Sequence, residues 1–114
     1  MKKAKKVGVF KLGPENVELW VDPAISGGTF NLCPRSGGMA EIRIGVNEQI
    51  EVLIHELFEF CAARLQLRFI AAPSFTRSHA DYLFVMTHEQ FTEVAARVGC
   101  FMSDAIPKLK LKLK

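Results

Sequence analysis

Hydrophobic and polar positions change rhythm once along this chain, near residue 47. Before that point the spacing is that of short strands. Val7 to Leu12 closes on Gly13-Pro14, Val17 to Val21 alternates and stops at Asp22-Pro23, and Thr29-Phe30-Asn31-Leu32 follows Gly27-Gly28. Gly and Pro at those joints break one run from the next. From Ala40 to Val46 the alternation is strict, with Ile42, Ile44 and Val46 on one face and Glu41, Arg43 and Gly45 on the other. That period of two belongs to a strand with one buried side. Cys33 to Gly38 reads as a turn, so three or four strands, forming a small antiparallel sheet, are expected over residues 7–46.

After Asn47 the steps become three and four. Ile50, Leu53, Ile54, Leu57, Phe58, Cys61 and Leu65 form a stripe wide enough to dock on a sheet, which predicts a helix over about 48–67 with Asn47 as N-cap. Residues 71–80 read as a loop interrupted by Pro73, Ser74, Thr76 and Ser78. Asp81 to Met86 reads either as a short strand or as the first turn of the next helix. A second helix is predicted over about 87–105, with Thr87 as N-cap and Gln90 as its capping-box partner. Its stripe is Phe91, Val94, Ala95, Val98, Phe101 and Met102, and Pro107 sets its latest end. The expected fold class is therefore α+β, a small sheet followed by two main helices. One domain over 7–107 lies between basic tails at 1–6 and 108–114, the second tail frayed.

Composition supports a packed domain. The chain has 114 residues, 49% of them apolar and nine of them Phe, which argues against disorder and for one modest core. Phe58, Phe60, Phe69, Phe75, Phe84, Phe91 and Phe101 read mainly as core. Phe60 and Phe69 fall off the main stripe and are candidates for a cleft or a dimer face. Cys33, Cys61 and Cys100 are odd in number and lack a C-x-x-C pair, so each reads as a reduced, buried thiol. Gly27-Gly28 and Gly37-Gly38 read as turn glycines, and Arg64 and Arg68 as solvated or paired with acids.

Charge changes the picture more. The net charge of +3 hides a lopsided layout, because Lys2, Lys3, Lys5, Lys6, Lys108, Lys110, Lys112 and Lys114 crowd the two ends. Between Val7 and Pro107 seven basic residues face twelve acids, a net charge of −5. An acidic body makes nucleic acid an unlikely partner for the folded part, since phosphate contacts need a basic surface. No apolar run reaches the ~18 residues of a membrane helix, and the start lacks a signal-peptide core. A soluble, cytoplasmic protein is expected.

The candidate chemistry lies in the first helix, at His55-Glu56-Leu57-Phe58-Glu59, an H-E-x-x-E sequence. Residues four apart stand on one helix face, so His55 and Glu59 are spaced to ligate one ion. A carboxylate is an acceptable zinc ligand where the familiar zinc helix has a second imidazole. Glu56, rotated by one step, sits where a general base belongs, able to take a proton from a water whose pKa the metal lowers. A third ligand is needed. His88 is preferred because a helix start is a stiff mount, with His79 in the loop as second choice. The same helix face carries Glu48, Glu51 and Gln66, so an ordinary solvated stripe of ion pairs is the competing reading.

Asn31-Leu32-Cys33-Pro34, then Ile42-Arg43-Ile44, then Glu51 to Phe60 with its H-E-x-x-E, then His88-Glu89-Gln90-Phe91 opening a helix that ends Met102-Ser103-Asp104, resembles the small phage- and mobile-element-type minimal zincin metallopeptidase-like proteins. The resemblance covers roughly residues 30–105. It implies a few strands, a zinc helix and a second helix opening with a histidine. It also implies zinc held by His55, Glu59 and His88, Glu56 as the base, and Asp104 as a group that orients a ligand. The chain departs from that pattern in a longer insert, about residues 70–85, and in its basic tails.

Two functions follow as expectations. One is a zinc-dependent hydrolase of the peptidase type, with peptide or protein substrate aligned along an edge strand, Ala40 to Val46 being the candidate. The other is a non-enzymatic phage or mobile-element interaction protein, an inhibitor of a host or defence protein. Its acidic body would suit a basic groove, and its metal would be structural or absent.

Overall fold

The computed structural model describes residues 3–33, 38–70 and 82–109. The chain forms β1 (Lys5–Leu12), β2 (Glu15–Val21), β3 (Gly28–Asn31) and β4 (Glu41–Ile44), then α1 (Gln49–Arg64), β5 (Arg68–Ile70), β6 (Tyr82–Phe84) and α2 (His88–Ala105). A 3-10 turn, Ile106–Lys108, follows. The architecture is α+β, a four-stranded sheet followed by two helices, as the change of rhythm at residue 47 requires.

The sheet is mixed rather than antiparallel. Its order is β1-β2-β4-β3. β1 and β2 form a hairpin across Gly13-Pro14, where Gly13 has φ +65, the positive-φ first position that a tight two-residue hairpin turn favours. β3 and β4 are also antiparallel, but β4 returns between β3 and β2 and runs parallel to β2. That insertion overturns Ala40 to Val46 as the docking edge: β4 is hydrogen-bonded on both sides, and among the described residues the sheet edges are β1 and β3. Alternation alone reports which face of a strand is buried and not which strands lie beside it.

Ile42 and Ile44 of β4, Val17 and Leu19 of β2, and Leu12 of β1 are fully buried under the helices. α1 contributes Leu53, Leu57, Phe60 and Cys61 to this core, and α2 contributes Val94, Val98, Phe101 and Ala105. Phe10 meets Phe101 edge-on, with ring centroids 5.5 Å apart, a favoured aromatic geometry. Phe60 is therefore core and not the lining of a cleft or a dimer face. The opposite face of the sheet is polar: Trp20 Nε1 donates to Glu18 at 2.9 Å, and the Arg43 guanidinium lies 4.7 Å from the Trp20 ring centre.

β1 begins at Lys5, and Lys6 pairs with Glu18 at 3.2 Å. Lysines on an outer strand discourage pairing with another chain. At the other end Leu109 is buried beyond the 3-10 turn. Of the three cysteines only Cys61 is buried; Cys33 and Cys100 are exposed.

The helix boundaries also differ. α1 starts at Gln49, with Glu48 and not Asn47 at the N-cap; Glu48 has φ 53 and its side chain makes no cap. α1 ends at Arg64 instead of 67, because Gln66 adopts φ 57. Leu67 N–H then donates to Ala62 O at 2.8 Å and Gln66 N–H to Ala63 O at 3.3 Å. Those two bonds are the Schellman closure, here without its usual glycine. At α2 the reading holds: the Thr87 side chain accepts from Gln90 N–H, and Thr87 N–H donates to the Gln90 side chain. Tyr82–Phe84 is a strand, paired with β5.

Candidate metal centre

α1 brings the H-E-x-x-E residues together on one turn. His55 Nε2 stands 2.8 Å from Glu59 Oε2, and His55 Nδ1 stands 3.7 Å from Glu56 Oε2. One ligating atom from each of His55, Glu56 and Glu59 lies within 4.8 Å of the other two. An imidazole nitrogen and two carboxylates are a donor set that suits zinc and other divalent cations.

The three side chains differ sharply in burial. His55 is 65% exposed, Glu59 is 23% exposed and Glu56 only 8%. Glu56 is the one buried charged residue among the described residues. It is there because α1 packs close on β3: a Cβ added to Gly28 would come within 2.8 Å of Glu56 Cγ and of Val52 Cγ1, and 3.1 Å from Arg43 O. Gly28 thus gives the Glu56 stem its room, a role that reading it as a turn glycine misses. Burial pushes the Glu56 carboxyl above its ordinary value, His55 acts the other way, and the nearby Glu59 adds to the rise. A carboxyl held this way keeps its proton more readily than an exposed glutamate does.

Arg68 joins the group from β5, with Nη1 3.6 Å from Glu59 Oε1. Arg64 points elsewhere, Nε and Nη2 reaching Glu15 at 2.8 and 3.1 Å and Nη2 also reaching Leu32 O at 2.8 Å. Both arginines are paired with acids, as expected. His88 is exposed at the first position of α2, and Asp104 is exposed in its last turn. Neither belongs to the group formed by His55, Glu56 and Glu59. His79 lies outside the described residues. Nearby, the loop from Pro23 to Gly27 and the start of α1 border a cleft of about 560 Å³ whose wall includes Val52, one helical turn before Glu56.

Comparison with protein families, with curated proteins and with solved structures finds no match for the chain. The His55-Glu56-Glu59 group, able to hold a metal ion, is what the site contributes to a functional reading. Among the described residues no helix is long and apolar enough to cross a membrane.

Proposed function

We propose that this protein is a zinc-dependent hydrolase of the peptidase type, a minimal zincin acting on peptide or protein substrate in the cytoplasm. The observation that carries the reading is one turn of helix that puts an exposed imidazole, a half-buried carboxylate and a buried carboxylate within 4.8 Å. His55 and Glu59 are the ligands on α1, and the proposed third ligand is His88 at the start of α2, which stands outside that group in the structure. A divalent ion at such a site supplies Lewis-acid chemistry, activating water and polarising a carbonyl. Glu56 accepts the proton from that water and passes it to the leaving amine, a task that its raised carboxyl pKa suits. β3, the sheet edge beside α1 among the described residues, is where an extended substrate adds its backbone.

Elemental analysis of protein purified without an affinity tag, followed by cleavage assays on a fluorogenic peptide library, tests this. Zinc near one equivalent is expected. Glu56→Gln should keep the zinc and abolish cleavage, and His88→Ala should lose the zinc. Undiminished cleavage by Glu56→Gln overturns the assigned role.

The exposure of His55 favours a second reading. A histidine 65% open to solvent and already 2.8 Å from a carboxylate makes an ordinary surface pair. The protein is then an interaction partner of a host or defence protein, with no catalytic ion. Protein that carries no zinc, and takes up none when zinc is supplied, decides for it.

A further inference from the structure

The two oxygens of Glu59 face different partners. Oε2 lies toward His55 at 2.8 Å, and Oε1 lies toward Arg68 Nη1 at 3.6 Å. Arg68 is itself mounted firmly. Its guanidinium carbon stands 5.9 Å from the centre of the Phe30 ring, and Phe30 packs on the buried Phe60 with ring centroids 5.8 Å apart. The Arg68 side chain is only 24% exposed. It reaches Glu59 because Gln66 reverses the chain in a left-handed conformation directly after α1. β5 thus carries the cation, β3 supplies the ring beneath it, and α1 supplies the carboxylate it holds.

We infer that Arg68 is a positioning residue for Glu59, taking Oε1 so that Oε2 alone is presented beside His55, an inference that rests on the metal-site reading above. A glutamate side chain has three rotatable bonds, and fixing them when an ion binds costs conformational entropy. A partner that orients the carboxylate beforehand removes part of that cost from the binding step. The guanidinium also exerts the opposite influence, because a cation close to the site repels a dication. Orientation and repulsion predict opposite signs for the loss of Arg68, and the sign is measurable.

Metal-free protein is titrated with Co2+ and followed by its visible absorption, comparing the natural chain with Arg68→Met, Arg68→Gln and Arg68→Lys. Arg68→Met keeps the stem over the Phe30 ring and removes charge and donors. It should bind Co2+ roughly 10-fold more weakly, with altered visible bands, as Glu59 gains freedom to turn both oxygens or neither toward the ion. Arg68→Gln, which keeps N–H donors without charge, should fall between, and Arg68→Lys should recover most of the loss. Circular dichroism and Trp20 fluorescence identify the variants that remain folded. Unchanged or tighter Co2+ binding with an unaltered spectrum in folded Arg68→Met or Arg68→Gln overturns the positioning role while leaving the metal site intact. A natural chain that binds no Co2+ overturns the metal reading and this inference together.

Discussion

The two helices lie on the same sheet and obey different rules. α2 follows local rules at its start and along its buried side: a reciprocal Thr87–Gln90 cap opens it, and Val94, Val98, Phe101 and Ala105 bury a stripe at steps of four, three and four, while Phe91, expected in that stripe, is 51% exposed. α1 breaks local rules at three places, one of them Gln66 at φ 57 just past its end. Its N-cap Glu48 stands at φ 53 without a side-chain cap, and Glu56 sits within the buried stripe formed by Leu53, Leu57, Phe60 and Cys61. A left-handed glutamate and a buried carboxylate each cost stability. Departures of this kind concentrate where a chain does chemistry, and here they occur on the helix that carries the candidate metal group.

Three measurements sharpen or break that contrast. The largest effect is expected at Glu56. Replacing a buried charge by an apolar side chain of similar length should stabilise the metal-free protein, so Glu56→Met should gain about 1–2 kcal/mol in urea unfolding near neutral pH. The sign of the pH dependence follows from the raised carboxyl. A group whose folded-state pKa lies above its unfolded value contributes stability at low pH, and that contribution is lost as pH rises through the folded value. The natural chain should therefore lose stability, as pH rises above the ordinary glutamate range, more steeply than Glu56→Met does. Equal slopes would mean that Glu56 titrates as an ordinary surface acid.

The helix starts come next and should respond with opposite signs. Thr87→Ala removes a working cap and should cost about 1 kcal/mol. Glu48→Gly relieves a left-handed residue and should stabilise by roughly 0.5–1 kcal/mol. A loss of stability in Glu48→Gly would show that the glutamate is better placed than its backbone angle implies. Both values are read from urea midpoints with Trp20 fluorescence.

The smallest effect concerns the thiols, again one per helix. Burial pushes the Cys61 thiol on α1 up to about 11, while Cys100 on α2 is exposed. Alkylation of the native protein at pH 8 should modify Cys33 and Cys100 and spare Cys61 until denaturant is added. Mass spectrometry of the labelled peptides reads the outcome directly. Early modification of Cys61 would place α1 less deeply in the core than the structure has it.

Much of this was legible along the chain because it depends on neighbours in sequence. The change from a period of two to steps of three and four, the Thr87 cap and the H-E-x-x-E turn all depend on residues within about four positions of one another. Even the competing reading of the metal turn as a surface pair keeps its footing, since the 2.8 Å approach of His55 to Glu59 is what either reading requires.

The features that the chain did not reveal join residues far apart. β4 lies between β2 and β3 because two apolar faces, each readable alone, fit together in an order that alternation does not encode. Gly28 reads as a turn residue until α1 packs against it and Glu56 fills the space beside its Cα. Arg68 reads as a surface cation until the reversal at Gln66, made without glycine, aims it at Glu59. By itself the sequence determined the α+β class, the two helices and the presence of a His-Glu-x-x-Glu turn, since local periodicity and caps suffice for those. Tertiary structure alone decided that Glu56 is buried, that Arg68 pairs with Glu59, and that β3 is an edge of the sheet among the described residues, because burial and charge contact arise only when distant segments share one surface.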